Sequence, residues 1–195
     1  PTTGQYLRLD SNGQWTNVTI TDLLTLTGGI STADFVTFDT VNAQTPGVGK
    51  LTWDSTNGTL QVGLVGGNVN LQVGQEQVVR VHNGTGSDFV DGQVVYITGS
   101  TGQIPSVALA SASAEITSSK TLGVVTENIL NGADGFITTI GMVNGLDTTA
   151  YNEGDALWLS TTAGQFTTTR PTAPNHAVFI GWIVKKGGSG TGTIY

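Results

Sequence analysis

The chain has 195 residues and a net charge of −7, from seven Lys and Arg against fourteen Asp and Glu, with only 11% of its residues charged and no Cys. Seven scattered basic residues offer no stripe to neutralise a run of phosphates, which excludes nucleic acid and anionic membrane surfaces as partners. The lack of Cys excludes disulfides, thiolate metal sites and cysteine nucleophiles. No apolar run approaches the roughly 18 residues of a membrane span, so no membrane insertion is expected, and Pro1–Leu9 carries no leader pattern. Hydrophobic residues make up 37%, which implies a thin core under a surface that is polar without being charged. A start at Pro1 and a stop at Tyr195 within an apolar stretch fit either a trimmed initiator Met or a piece of a longer chain.

In chain order, a first hairpin is predicted over Tyr6–Trp15, where a short alternating run meets Asp10-Ser11-Asn12-Gly13 and resumes. Residues 34–42 follow as a narrow apolar face. A second hairpin is expected over Leu51–Leu60, and then the run 67–81, in which Val69, Leu71 and Val73 alternate with Asn and Gln. Third and fourth hairpins are expected over Val95–Ile104 and Leu157–Phe166. All four copies share one pattern: strand, polar turn ending in Gly, strand. Asn83-Gly84, Asn131-Gly132 and Asn144-Gly145 read as further tight turns. Helix is confined to one or two turns within Leu109–Ser119, where Leu109, Ala112 and Ile116 would form a short stripe. Trp182, in an apolar run, reads as core.

The last two hairpins are closer relatives. Asp91-Gly92-Gln93-Val94-Val95-Tyr96-Ile97 aligns without a gap with Glu153-Gly154-Asp155-Ala156-Leu157-Trp158-Leu159. Each is followed by a Pro-containing polar stretch and a second apolar strand, 122–126 in one and 179–184 in the other, with Gly123 matched to Gly181. Self-similarity at this spacing indicates a duplicated structural unit. The expected division is an N-terminal stem to residue 48, an extended β shaft over 49–83, and a duplicated β unit over 84–195 with copies at about 91–126 and 153–185. Narrow apolar faces and open strand edges in the first two parts call for partner chains, as in a closed homo-oligomer about an axis parallel to the strands.

Catalytic chemistry finds little to build on. His82 reads as a strand-end residue and His176 as a loop residue. There is no nucleophile elbow and no zinc motif. The acid pairs Glu153/Asp155, Asp88/Asp91 and Asp34/Asp39 suit glycoside hydrolysis in residue type alone, and acids at such positions ordinarily cap turns. Asp10 and Asp54 begin stretches similar to calcium loops without the remaining ligands. Gly187–Gly192 lacks the Lys-Ser/Thr and helix of a phosphate loop. Trp15, Trp53, Trp158 and Trp182 are candidates for stacking on sugars, with core or chain-chain packing as the default for all four. No catalytic, cofactor-binding or metal-binding residue is assigned, and no receptor-binding residue is singled out.

Residues 92–97, 120–127, 135–148 and 153–160, in this order, resemble the β unit of tailed-bacteriophage fibre and appendage proteins, and 49–64 with 74–81 are similar to the shaft segment that precedes it. Residues 1–48 match only in their Thr-rich style. The resemblance implies a non-enzymatic virion structural protein, usually an intertwined homotrimer, made in the host cytoplasm and placed on the virion exterior at the tail, neck or capsid surface. Its implied partners are other copies, other virion proteins and a host cell-surface glycan or protein, with no cofactor. The alternatives are a capsid decoration or neck protein that only stabilises the particle, and a polysaccharide depolymerase fragment. The fold class expected is all-β, a fibre-like stem and shaft before a duplicated antiparallel barrel- or sandwich-like unit.

Overall fold

The computed structural model describes residues 5–19, 34–41 and 44–195. The chain forms two compact units that part between Phe38 and Asp39. The fold is all-β, built from several mainly antiparallel sheets; among the described residues one four-residue helix, α1 (Glu115–Ser118), interrupts them.

The N-terminal unit contains a hairpin of β1 (Gln5–Leu9) and β2 (Trp15–Thr19), with Leu9 opposite Trp15. Its turn is tied by Asp10, whose Oδ1 accepts hydrogen bonds from the Asn12 and Gln14 N–H groups at 2.9 and 2.8 Å. The same turn grammar recurs in the second unit. The turn glycines Gly13, Gly58, Gly102 and Gly164 all hold φ between +60° and +76°, a region that side chains avoid, so the shared Gly of the four hairpins is a backbone requirement.

In the second unit, β3 (Leu51–Asp54), β4 (Thr59–Gly63) and β5 (Asn70–Gln72) form a three-stranded sheet. A closed five-stranded barrel follows, from β6 (Gln77–Asn83), β7 (Val94–Thr101), β8 (Ile104–Leu109), β9 (Thr121–Val125) and β10 (Asp134–Ile140), in the order β10-β6-β8-β7-β9. All of its pairings are antiparallel except β6–β8. The last five strands, β11 (Val143–Leu146), β12 (Ala156–Leu159), β13 (Phe166–Thr167), β14 (Phe179–Lys185) and β15 (Gly192–Ile194), form an open sheet in the order β11-β15-β14-β12-β13.

These two five-stranded sets are built alike. β7 pairs with β9 through Val94↔Val124, Val95↔Gly123 and Tyr96↔Thr121, with a register shift after Val95. β12 pairs with β14 through Ala156↔Trp182, Leu157↔Gly181 and Trp158↔Phe179, with the shift after Leu157. The correspondence extends past the segments matched in sequence. Gly92 donates to Val125 O as Gly154 donates to Ile183 O, both at 2.8 Å. Ile137 lies opposite Val125 as Ile194 lies opposite Ile183. Gly135 pairs with Val81 of β6 as Gly192 pairs with Leu146 of β11. The repeated element is therefore five strands, β6–β10 and β11–β15. The two compact units part after Phe38, and β6, within residues 49–83, is a strand of the barrel.

Alternation along the strands builds two cores. Val81, Val95, Val107, Val125 and Ile137 fill the barrel with Phe89 and Ile129. Leu157, Leu159, Ile183 and Ile194 line the inner face of the second repeat and meet Val94, Val124 and Ala110 on the outside of the first. Backbone bonds weld the seam: Val94 N–H donates to Gly164 O at 2.9 Å, Gly164 N–H to Ala110 O at 2.7 Å, and Ala112 N–H to Ser160 O at 2.8 Å. These bonds explain why the stripe of Leu109, Ala112 and Ile116 does not form. Leu109 ends β8, Ala112 is pinned to the fourth hairpin, and Ile116 is 64% exposed. Asn144-Gly145, expected as a turn, lies inside β11, where Gly145 (φ +83°) occupies a bulge.

Candidate functional site

His82 on β6 sits between Asp134 on β10 and Ser106 on β8, each its direct cross-strand partner. His82 Nδ1 is 2.8 Å from Asp134 Oδ1, and the Arg80 guanidinium holds Asp134 Oδ2 at 3.0 Å. The order Asp, His, Ser has the residue types of a nucleophilic triad. The serine is engaged elsewhere, because Ser106 Oγ lies 2.9 Å from Thr101 Oγ1, and neither His82 nor Ser106 lines any of the three clefts described below. The arrangement is a polar rung across the barrel exterior. His176 Nδ1 meets Glu115 Oε2 at 3.0 Å and its N–H donates to Ala112 O at 2.8 Å.

The acid pairs are tied up locally. Asp155 Oδ2 accepts from Asn152 N–H at 2.8 Å, and Gln93 Oε1 accepts from Val90 N–H at 2.9 Å in the equivalent turn of the first repeat. Glu153 Oε1 accepts from Lys186 N–H at 3.1 Å and Asp88 Oδ1 from Asn131 N–H at 2.8 Å. Asp39 Oδ1 accepts from Val41 N–H, and Asp34 lies in the other unit. Asp54 Oδ1 accepts from Thr56 and Asn57 N–H at 2.9 and 3.1 Å. Burial pushes the Asp54 carboxyl up, but these bonds and the Asn57 amide outweigh it and hold the group below its ordinary value. Among the described residues no three His, Asp or Glu side chains gather where they would hold a metal ion.

Asp91 departs from this pattern. Its Oδ1 is buried without a partner. Burial pushes its carboxyl up to about 6, offset in part by the Gly92 N–H and reinforced by the negative charge of Glu127. Glu127 is itself fully used, accepting from Phe136 N–H at 3.0 Å and from Asn68 Nδ2 at 3.1 Å, the second bond tying the β4–β5 turn to the barrel.

Two surfaces stand out once the side chains are placed. The first is the β3–β5 sheet, whose register puts Leu51, Trp53, Leu60, Val62, Leu71 and Val73 on one face and Thr52, Asp54, Thr59, Gln61, Asn70 and Gln72 on the other. A sheet folding for itself buries the apolar face. Here the polar face turns inward: Gln61 is 7% exposed, Thr52 Oγ1 is buried without a partner, and Asn70 and Gln72 share a cleft of about 190 Å³ with Thr126, Met142 and Asn144. None of the six apolar residues is buried, and Leu51 and Val73 are 48% and 43% exposed.

The second surface crosses β12, β14 and β15. Trp158, Phe179, Trp182 and Tyr195 form a continuous row with ring centroids 5.4, 4.6 and 6.4 Å apart, and Arg170 lies 5.3 Å over Trp158 at one end. Trp182, expected in the core, is 46% exposed because the core position of that strand is taken by its neighbour Ile183. Beside the row, where β9 and β10 meet β14 and β15, lies a cleft of about 270 Å³. A third cleft, of about 260 Å³, runs from Val65 and Asn68 to Arg80 and Phe136. Pattern reading picked out the individual tryptophans but not the row. The available signal was the alignment of Trp158 with Tyr96 and of Trp182 with Val124. No family model, curated protein or solved structure matches the chain.

Proposed function

We propose that the chain is a non-enzymatic structural protein of a tailed-bacteriophage virion, assembled as a homotrimer into an exterior fibre or appendage that contributes to host attachment. The observation that carries the reading is the inverted β3–β5 sheet. Six apolar side chains share one face and none is buried among the described residues, four being half-buried and Leu51 and Val73 exposed, as on a surface kept for an assembly partner. The three-fold number and the virion location rest on the resemblance of residues 49–195 to phage appendage proteins. Several copies on one particle would turn weak contacts to a host surface glycan or protein into firm attachment through avidity.

The test is the mass of the native chain by light scattering, set beside an unheated detergent gel. A stable species near three times 20.1 kDa, lost in Leu60→Asp and Val62→Asp variants that keep their β circular dichroism, is the expected result. A monomer whose mass does not change with concentration overturns the proposal.

A further inference from the structure

The row of aromatic rings on the second repeat occupies a position whose counterpart in the first repeat is already covered. By strand register, Trp158, Phe179 and Trp182 correspond to Tyr96, Thr121 and Val124. Tyr195, bonded in both directions to Trp182 and following Ile194, corresponds to Thr138, which follows Ile137. In the first repeat this outer face is closed over by protein. Val124 and Thr138 are 7% and 5% exposed, and Tyr96 packs into the core shared with the second repeat. In the second repeat these four positions are all aromatic; Trp158 is half-buried, and Phe179, Trp182 and Tyr195 are 42%, 46% and 47% exposed.

We infer that the aromatic row of Trp158, Phe179, Trp182 and Tyr195 is the seat of a second copy of this chain, continuing between molecules the covering that the second repeat provides to the first within one molecule. The inference rests on the homo-oligomer proposed above and adds a contact surface distinct from the β3–β5 sheet. Three half-exposed rings leave roughly 300 Å² of aromatic surface in water, the size of the largest patch that a lone soluble protein shows and less than half of one partner's share of a standard interface. That area suits the aromatic centre of a contact, where binding energy concentrates. Charge points to the same occupant. Copies carrying −7 each repel one another over most of their surfaces, whereas no Asp, Glu, Lys or Arg lines the cleft beside the row.

The absence of Cys makes the test direct. A Phe179→Cys variant of the full chain is labelled with a small thiol reagent in its native state and in denaturant, and the mass of the native wild type is measured alongside. Coverage by a second copy slows labelling about 100-fold or more relative to the unfolded chain, since reaction then waits on opening of the contact. The inference is overturned if an oligomeric protein is labelled within about tenfold of the unfolded rate, as a half-exposed side chain would be, and the proposed assembly survives that result. A monomeric wild type overturns both. A Phe179→Ser/Trp182→Ser variant supplies a second readout: a folded protein of smaller mass supports the inference. If that variant does not fold, the labelling rate alone decides.

Discussion

The two five-stranded repeats have the same strand order, the same register shift and matching glycines, yet the first closes into a barrel and the second stays open. Closure depends on one strand. β8 runs for six residues and lies parallel to β6 through His82↔Ser106 and Asn83↔Val107. Its counterpart β13 has two residues and leads to Thr168, Thr169, Arg170 and Pro171, the last without an N–H to extend a ladder. The open side of the second repeat is satisfied differently, by Val94, Val124 and Ala110 from the outside of the first. Pairing is thus set by features the repeats share, whereas closure follows from a strand length and a covering surface that they do not.

The comparison is broken most severely at its shared glycines. A Cβ on Gly123 would strike Thr138 O, and one on Gly181 would strike Tyr195 O, the equivalent carbonyl of the neighbouring strand. Gly123→Ala and Gly181→Ala are each expected to destabilise the protein by about 3 kcal/mol or more, because backbone cannot move aside as a side chain does. Urea unfolding checks this, and equal losses at the two sites would show that both repeats need the same close approach.

A smaller effect separates Asp91 from its counterpart Glu153. A carboxyl with its folded value raised to about 6 binds its proton more tightly folded than unfolded. The folded state is therefore favoured at low pH and loses this advantage as pH rises from about 4 to about 6, by at most about 3 kcal/mol for a two-unit shift. Asp91→Asn is expected to raise stability by about 1–2 kcal/mol at pH 7.5 and to change little at pH 4, as read from thermal melts across pH. Glu153 lies at an exposed position and accepts a hydrogen bond from Lys186 N–H instead.

The smallest expected effect is at the end of the aromatic row. Removing the Arg170 guanidinium from above Trp158 in Arg170→Ala should cost about 0.5 kcal/mol, measurable as a small drop in melting temperature. A much larger loss would mean that Arg170 also holds the strand following β13 in place.

Much of the local structure was legible in the chain. Hairpins at Tyr6–Trp15, Leu51–Leu60, Val95–Ile104 and Leu157–Phe166 followed from the placing of one glycine at the left-handed position of each turn. The likeness of 91–126 to 153–185 followed from apolar and glycine spacing. The outer strands of each repeat were not legible, because β6 meets β10 across some fifty residues of chain, as His82 meets Asp134, and alternation within a strand carries no record of its partner. Asn144-Gly145 has the composition of a turn and serves as a bulge, a choice made by β15 alongside it.

The candidate surfaces divide in the same way. The sequence alone determined that Leu51, Trp53, Leu60 and Val62 share one face of a sheet, since side chains alternate by two and the hairpin sets the register. It also determined an all-β chain of low charge. Only the tertiary structure decided that this apolar face points away from the body while Gln61 is buried, that Trp182 yields the core to Ile183, and that four rings from three strands meet in one row. Burial is a property of what lies across from a residue, and that neighbour is chosen by pairings between distant segments, which local period and turn chemistry do not encode.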